Sequence, residues 1–366
     1  MKIAILSDIH LGNFATGARS VDDARGLNSR GRRTVDVLRG ACKKALDLGA
    51  ELVVWNCDVF HTKRPEPQLL AYAAEIAQEV SRHPRARLIV NRGNHDIIGD
   101  VDGADSLGVL SDATEIVTRP RLFGDILFVP YEHPTAERPA LDIIREAIVE
   151  KLHDASPEDR ARTVVVAHLG LSDGASWQSM AHDFCDPVSV AAMALEFGVR
   201  AVVHGHGHAP ISLGPFPGGP EFVGQVGALC PTGHSEDGVV GGFLFVTPRG
   251  FERHAADGSP VFGTARSVAE VDALLASLPP RGALFLRSPA DVAEGARERP
   301  GVEHVAIEPS APPIAPAGGA AERLGAGGVV DVIAALGGYV EACELPAAVD
   351  RAVVLARVRR RVEGLI

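Results

Sequence analysis

The chain has 366 residues, a formal net charge of −11 and five cysteines. That length admits a full core plus a second, smaller domain, while the negative charge excludes a protein that coats nucleic acid with its whole surface, though not one with a local basic patch. Cys42, Cys57, Cys185, Cys230 and Cys343 are odd in number, widely spread and never arranged as CxxC, so they offer neither a disulfide framework nor a cysteine zinc site, and a reducing, cytoplasmic setting is expected.

The first apolar run, Ile3 to Leu6, is too short for a signal-peptide core or a membrane span, and no later stretch reaches membrane length without charges. From there to about residue 250 one rhythm repeats: a short β-branched run ending in polar residues, then a longer stretch with helical spacing. The runs cover 2–7, 51–56, 87–91, 126–129, 163–167, 201–204 and 242–246. Each is nearly continuous in apolar character, which suits strands covered on both faces. After the first, "RRTVDVLRGACKKALDLG" puts Val35, Leu38, Cys42 and Leu46 at helical spacing and closes at Gly49. After the second, "PEPQLLAYAAEIAQEVSR" predicts a helix with proline at its entrance. Between Arg19 and Lys44 eight basic residues face three acids, an excess of five, which reads as an ordinary solvated helix face. The pattern is α/β, with helices layered outside sheets.

Beyond about residue 260 the composition shifts. "VAEVDALLASLPPRGALFLRS" predicts a helix then a strand, and "VEHVAIEP" another strand. "PSAPPIAPAGGAAERLGAGG" is low-complexity Pro, Ala and Gly, expected as a linker. Two helical patterns follow, the second placing Leu355, Val358, Val362 and Leu365 on one stripe. The expected division is therefore a main domain over 1–260, a small capping domain over 261–310, a linker over 311–328 and a helical tail over 329–366.

Chemistry concentrates at the ends of the predicted strands. The first ends at Asp8-Ile9-His10, the second at Asp58 with His61 after it, and the third at Asn94-His95-Asp96 behind Gly93. The run at 163–167 is followed by His168, and the one at 201–204 by Gly205-His206-Gly207-His208. In an open α/β sheet such ends share one edge, where ligands bind. Imidazoles, carboxylates and an amide oxygen without thiolates suit a pair of first-row divalent ions, and one carboxylate can bridge two ions about 3.5–4 Å apart. A single DxH or GHxH is a weak signal; the ordered set DxH, D, NHD, H, GHxH is a strong one.

At these residues the chain resembles the calcineurin-like metallophosphoesterases, which implies an αββα sandwich of mixed sheets with a smaller C-terminal α/β cap and a helical tail. The resemblance implies that Asp8, His10, Asp58 and His208 hold one ion, that Asp58, Asn94, His168 and His206 hold the other, and that Asp58 bridges. It makes manganese the leading metal, with magnesium, iron or zinc also compatible. His95 becomes the free imidazole that stabilises the transition state or protonates the departing oxygen, with Asp96 assisting by orienting the loop or the imidazole. A closer resemblance is to the SbcD-type nuclease subunits of SbcCD-like DNA repair complexes. It rests on "SDIHLG", "CDVFHTKRPEP", "RGNHD", "VPY", "AHLGLSDG", "HGHGHAP" and "VGALCPTGHSEDGVVGGFLFV", and is good over residues 1 to 250 and looser beyond. It implies DNA as substrate, an SbcC-like coiled-coil ATPase as partner, the tail helices as its docking segment, and homodimers. Cys57 stands where that family usually has glycine, which implies a small thiol that fits, strained close packing of the backbone, or an oxidisable thiol.

Other residues carry blander expectations. His204, inside a strand, reads as packed; His61 and Arg92 are candidates for touching substrate; Trp55 and Trp177 read as packing residues; the Leu355 stripe reads as core before partner seam. The leading functional reading is a metal-dependent DNA exonuclease or endonuclease. Its rivals are a phosphodiesterase or phosphatase acting on small esters such as cyclic nucleotides, and a catalytically silent DNA clamp.

Overall fold

The computed structural model describes residues 1–99, 104–172, 182–216 and 218–307. Trp177, the linker expected over 311–328 and the tail expected over 329–366 lie outside these residues. All seven predicted runs form strands. In the first sheet, β1 (Ile3–Ser7), β2 (Leu52–Asn56), β3 (Arg87–Asn91) and β4 (Glu115–Val117) run parallel side by side. The second sheet is built from β5 (Arg121–Phe123), β6 (Ile126–Val129) and β7 (Val164–Ala167), then, after a two-stranded ribbon of β8 (Gly170–Leu171) and β9 (Phe184–Cys185), from β10 (Ala201–His204), β11 (Ile211–Leu213) and β12 (Phe222–Gln225). Its order is β11-β12-β10-β7-β6-β5. The chain then returns to the first sheet as the antiparallel pair β13 (Gly242–Thr247) and β14 (Gly250–Ala255), giving β14-β13-β1-β2-β3-β4.

The side-chain period of two explains why continuous apolar runs were needed. In β1, Ile3 and Ile5 join Val54, Ile89, Phe128, Val166 and Val203 in a core between the two sheets. Ala4 and Leu6 face the other way, into a second core with α1 (Ser29–Asp47) and α2 (Pro67–Ser81). The outer face of the second sheet packs on α3 (Ala140–Leu152) and, after the single-turn α4 (Pro157–Arg160), on α5 (Pro187–Phe197). Three cores thus separate four layers, the αββα sandwich. Truncating a residue such as Ile5, enclosed between two sheets, to Ala is worth ~2–5 kcal/mol.

A smaller three-stranded parallel sheet follows: β15 (Pro260–Thr264), β16 (Ala283–Ser288) and β17 (Val302–Ile307), with α6 (Val268–Ala276) and α7 (Ala290–Ala296). Val261, Val271, Leu284, Leu286 and Val292 form its own core. β15, α7 and the short or glycine-containing strands β4, β5, β11, β12 and β14 escape the sequence pattern; in β12, "FVGQ", a glycine interrupts the apolar run.

Six of the eight basic residues before and along α1 are neutralised by carboxylates, while Arg19 reaches the Glu303 backbone carbonyl. Arg25 pairs with Glu75, Arg32 with Asp23 and Asp36, Arg33 with Glu303, Arg39 with Glu79, Lys43 with Asp47, and Lys44 with Asp257. Arg30 is the exception on this helix. It is buried, and its guanidinium lies over the rings of Phe14, Phe262 and Phe285 and donates to the carbonyl oxygens of Thr16 and Thr232.

Candidate metal centre

The chemistry-bearing strand ends do meet, but the expectation of one sheet edge needs correcting. Asp8, Asp58 and Asn94 follow β1, β2 and β3 of the first sheet, whereas His168 and His206 follow β7 and β10 of the second. A buried amide chain ties the two edges together. The Ser7 hydroxyl accepts from Asn56 Nδ2 (3.3 Å), which also reaches the Ala167 carbonyl on β7 (3.4 Å). Asn91 Nδ2 donates to Asn56 Oδ1 (3.0 Å) and reaches the Val129 carbonyl on β6 (3.4 Å). The last residue of each of β1, β2 and β3 is polar because it bonds its neighbours in this chain, and Asn56 and Asn91 also cross to the facing sheet.

Beyond these ends the backbone turns into the left-handed region at Asp8 (φ 49°), His10 (49°), Cys57 (75°), Asp58 (45°) and His206 (69°). Such conformations cost of order 1–3 kcal/mol each in non-glycine residues and persist where surroundings over-determine them. Here they are held by backbone bonds from His10 and Leu11 to Asp58 and Val59 (2.8 and 2.9 Å), and by the Ser7 hydroxyl donating to Asp8 Oδ2 (2.7 Å). The positive φ of Cys57 is the strain expected where the resembling family has glycine. Gly93 has to be glycine for space: a Cβ there would stand 2.2 Å from Asp58 Oδ1 and 2.5 Å from its amide nitrogen.

Two groups of donor atoms result, Asp8, His10 and His208 in one and Asp58, His168 and His206 in the other, each with its atoms within 4.8 Å of one another. Asn94 Oδ1 stands 2.9 Å from His168 Nε2 and 3.1 Å from His206 Nδ1. Asp58 Oδ2 faces both groups, 3.3 Å from His168 Nε2 and 3.8 Å from His10 Nε2. His10 Nε2 and His208 Nε2 face each other at 2.9 Å. Donors that each sit about 2.1 Å from one cation lie roughly 3 Å apart along an edge of its coordination polyhedron, so these spacings fit divalent ions. The charges fit as well. Asp8 and Asp58 are buried, and among the described residues neither has a lysine or arginine partner, a combination that calls for cations.

Burial raises the Asp8 carboxyl above its ordinary range, against the pull of His168 and His208. Burial would raise Asp58 too, yet His168, His10 and His95 outweigh it and hold that carboxyl far below the usual range. Burial drives His10 well below the ordinary imidazole value, leaving it neutral with a lone pair to donate. His208 is lifted to about 9 against its burial, by the hydrogen bond to Glu236 and by Asp8.

His95 lies beside both groups, its ring centroid 5.0 Å from that of His10. Its amide donates to Asp58 Oδ1 (2.9 Å), and its Nδ1 is 2.7 Å from the carbonyl oxygen of His61. A carbonyl only accepts, so Nδ1 carries a proton and Nε2 is the ring's free nitrogen. Asp96, expected to assist His95 by orienting the loop or the imidazole, makes no hydrogen bond to that ring. Both its oxygens accept amide protons, Oδ1 from Val59 (3.0 Å) and Oδ2 from Gly93 (2.9 Å). It is a positioning residue that fastens the Gly93–Asp96 turn to the loop after Asp58. The His61 side chain packs on Phe14 (ring centroids 4.7 Å) and its backbone orients His95. Arg92, the other expected substrate contact, instead donates to the Thr118 carbonyl and borders a cavity of about 820 Å³ lined also by Glu132, Arg138, Glu146 and Lys151, with none of the donor residues in its wall. His204 is buried, and its Nδ1 meets the Leu169 carbonyl at 2.7 Å; Trp55 packs in the helix-side core.

Two carboxylates that the sequence reading passed over complete the centre. Glu236 Oε1 is 2.6 Å from His208 Nδ1, and Asp183 Oδ2 is 3.3 Å from His206 Nε2. Each takes the ring nitrogen that faces away from the donor group, which fixes tautomer and orientation. The glutamate sits inside the quoted "GHSEDG" stretch, but nothing in its spacing distinguishes it from an ordinary surface acid.

A four-layer sandwich whose two sheets deliver imidazoles, carboxylates and an amide from facing edges to one centre defines the class as binuclear metal hydrolases of phosphate esters. Residues 1–210 match the calcineurin-like phosphoesterase family, and the chain belongs to it. Phosphoesterases of this family use two divalent metals. No curated protein matches the chain. Among solved structures, a purple acid phosphatase from yellow lupin (Lupinus luteus) seeds is similar at 13% identity and a TM-score of 0.43, over 70% of this chain and 51% of that one, so the chain spans about half the lupin protein's length. A dimetal phosphatase from Danio rerio is similar at 12% identity and a TM-score of 0.38, over 67% of this chain and 91% of that one. Among the described residues no helix is long and apolar enough to cross a membrane.

Proposed function

We propose that this metallophosphoesterase hydrolyses phosphodiesters in DNA, as a nuclease acting in repair beside a coiled-coil ATPase. The observation that carries the hydrolytic step is the pairing of two donor groups on one buried carboxylate, Asp58, with an imidazole at His95 whose Nε2 is free. The choice of DNA rests on the likeness of the segments around these residues to SbcD-type subunits.

Asp8, His10, Asp58 and His208 would hold one ion, and Asp58, Asn94, His168 and His206 the other. When bound, the cations supply charge stabilisation of the phosphate and an acidified water as nucleophile. The chain does the rest. Glu236 and Asp183 keep the His208 and His206 rings facing inward. The His61 carbonyl holds the proton on His95 Nδ1, and when the ring is protonated Nε2 offers a second proton toward the leaving oxygen. Manganese is the metal we propose, since nitrogen and oxygen donors without thiolate suit it.

The test is to incubate the purified chain with Mn²⁺ and linear or single-stranded DNA, beside bis-p-nitrophenyl phosphate and cyclic nucleotides. DNA cleavage abolished by chelation is expected. Turnover of the small esters with DNA left intact, with and without an ATPase partner, would establish the second reading, a small-ester phosphodiesterase. That reading is favoured by the net charge of −11, which does not draw a polyanion.

A further inference from the structure

Beside the metal centre, where the small C-terminal sheet meets the sandwich, lies a cavity of about 440 Å³ whose wall includes Arg30, Arg287, His234, Thr16, Thr232 and Ser235. None of the residues lining it is acidic, in a chain that carries 47 acids against 36 lysines and arginines. Arg30 is buried and makes no ion pair: its hydrogen bonds go to carbonyl oxygens and its faces to aromatic rings, with Glu303 and Glu236 acting on its charge only from farther away. Arg287 is exposed on β16 and, among the described residues, makes no ion pair. His234 Nδ1 is buried with no hydrogen-bond partner. Two arginines, an unpartnered imidazole nitrogen and the hydroxyls of Thr16 and Ser235 around one space make a site for an oxyanion.

The cavity is joined to the metal centre on two sides. Thr232 donates its amide and hydroxyl to Glu236 (2.8 and 2.9 Å), which holds His208 at 2.6 Å. The Arg30 guanidinium lies 4.9 Å from the Phe14 ring centroid, and Phe14 packs on His61, whose carbonyl holds His95. An anion seated here is therefore linked to the metal centre through two short chains of contacts.

We propose that this cavity is a subsite for a second phosphate of the same polynucleotide, with Arg30 and Arg287 as its charges, so that the enzyme distinguishes a nucleic acid chain from a small ester. This deepens the nuclease reading and rests on it. A small ester has no second phosphate and gains nothing from the site.

The test uses Arg287→Ala and Arg287→Lys in the 366-residue chain, since this side chain is exposed and lies outside the metal centre. Binding of a fluorescent single-stranded oligonucleotide is measured by anisotropy in Ca²⁺ across a salt series, a readout that requires no cleavage, alongside Mn²⁺-dependent turnover of bis-p-nitrophenyl phosphate. Expected for Arg287→Ala are an affinity about tenfold weaker and a salt slope shallower by about 0.7, the change when one phosphate of a single strand is no longer neutralised. Arg287→Lys restores most of both, and turnover of the small ester stays within about twofold of wild type. Unchanged oligonucleotide affinity and salt slope would overturn the subsite, whether or not the wild type cuts DNA. So would a change confined to inhibition by inorganic phosphate, which would mark a free-anion site. Failure of the wild type to cut DNA while the binding difference holds would overturn the nuclease reading and with it the subsite's role in substrate choice, leaving a polynucleotide-binding site at Arg287.

Discussion

The Nδ1 of His208 lies 2.6 Å from Oε1 of Glu236, while the Nε2 of the same ring faces His10. One carboxylate therefore decides which nitrogen of His208 is a donor to a cation. Glu236→Gln keeps the size of the side chain, removes the charge and replaces one of the two acceptor oxygens that serve Thr232 and His208 with a donor. We expect affinity for a divalent cation to fall ~10–100-fold, measured by calorimetric titration of Mn²⁺ into the metal-free protein. Affinity equal to wild type would show that His208 keeps its orientation without the charge.

His95 and Asp58 touch the same centre in different ways, and substitution separates them. His95→Ala removes a ring that reaches no cation position in the proposed arrangement, so both ions stay while turnover falls ~10²–10⁴-fold. Asp58→Asn weakens the carboxylate shared by both donor groups, and metal content itself drops. Metal analysis by mass spectrometry beside rates on bis-p-nitrophenyl phosphate checks both. Loss of metal in His95→Ala would move that residue among the ligands.

Much of this was legible in the sequence for physical reasons. Strands buried on both faces must be apolar throughout, so β1, β2, β3, β6, β7, β10 and β13 announce themselves, and donors such as Asp8, Asp58 and His168 fall where those runs stop. What joins the strand ends was not legible. Asn56 and Asn91 read as the polar close of a strand, whereas their bonds to the facing sheet belong to tertiary structure. Asp96 and Arg92 share the motif of Asn94 and His95, but a turn sends adjacent side chains different ways, one to amide protons and the other to a separate cavity. Glu236 and Asp183 are single acids in loops, identified only by the rings they meet.

The amide chain across the sheets predicts a stability effect distinct from any metal effect. Asn91→Ala leaves Asn56 Oδ1 in the buried interior with only the weak Cys57 thiol (3.5 Å) as donor. A buried polar group left unpaired costs ~1–3 kcal/mol, so the urea midpoint of the metal-free protein should fall with the slope unchanged. Because the same chain aligns the sheet edges that bear the donors, Mn²⁺ affinity should fall with it. A lower midpoint with unaltered affinity would confine Asn91 to stability.

The loop between His10 and α1 carries Phe14, and its later part is pinned by Asp23. Burial favours the neutral acid, but amide protons from Arg25 (2.9 Å) and Leu27 (3.2 Å), the Arg32 guanidinium (3.1 Å) and the Tyr72 hydroxyl (3.0 Å) together bring its pKa from 3.8 down to about 2. A carboxylate depressed by folding contributes stability that is present above its unfolded pKa and lost as pH falls through its folded one. The window here runs from about pH 4 to about pH 2. Asp23→Asn cannot ionise, so its melting temperature should lie below that of wild type at pH 6 and the gap should narrow across that window, as thermal melts in acidic buffers would show. A gap independent of pH would mean that Asp23 acts through its shape and neutral hydrogen bonds, with the charge contributing nothing.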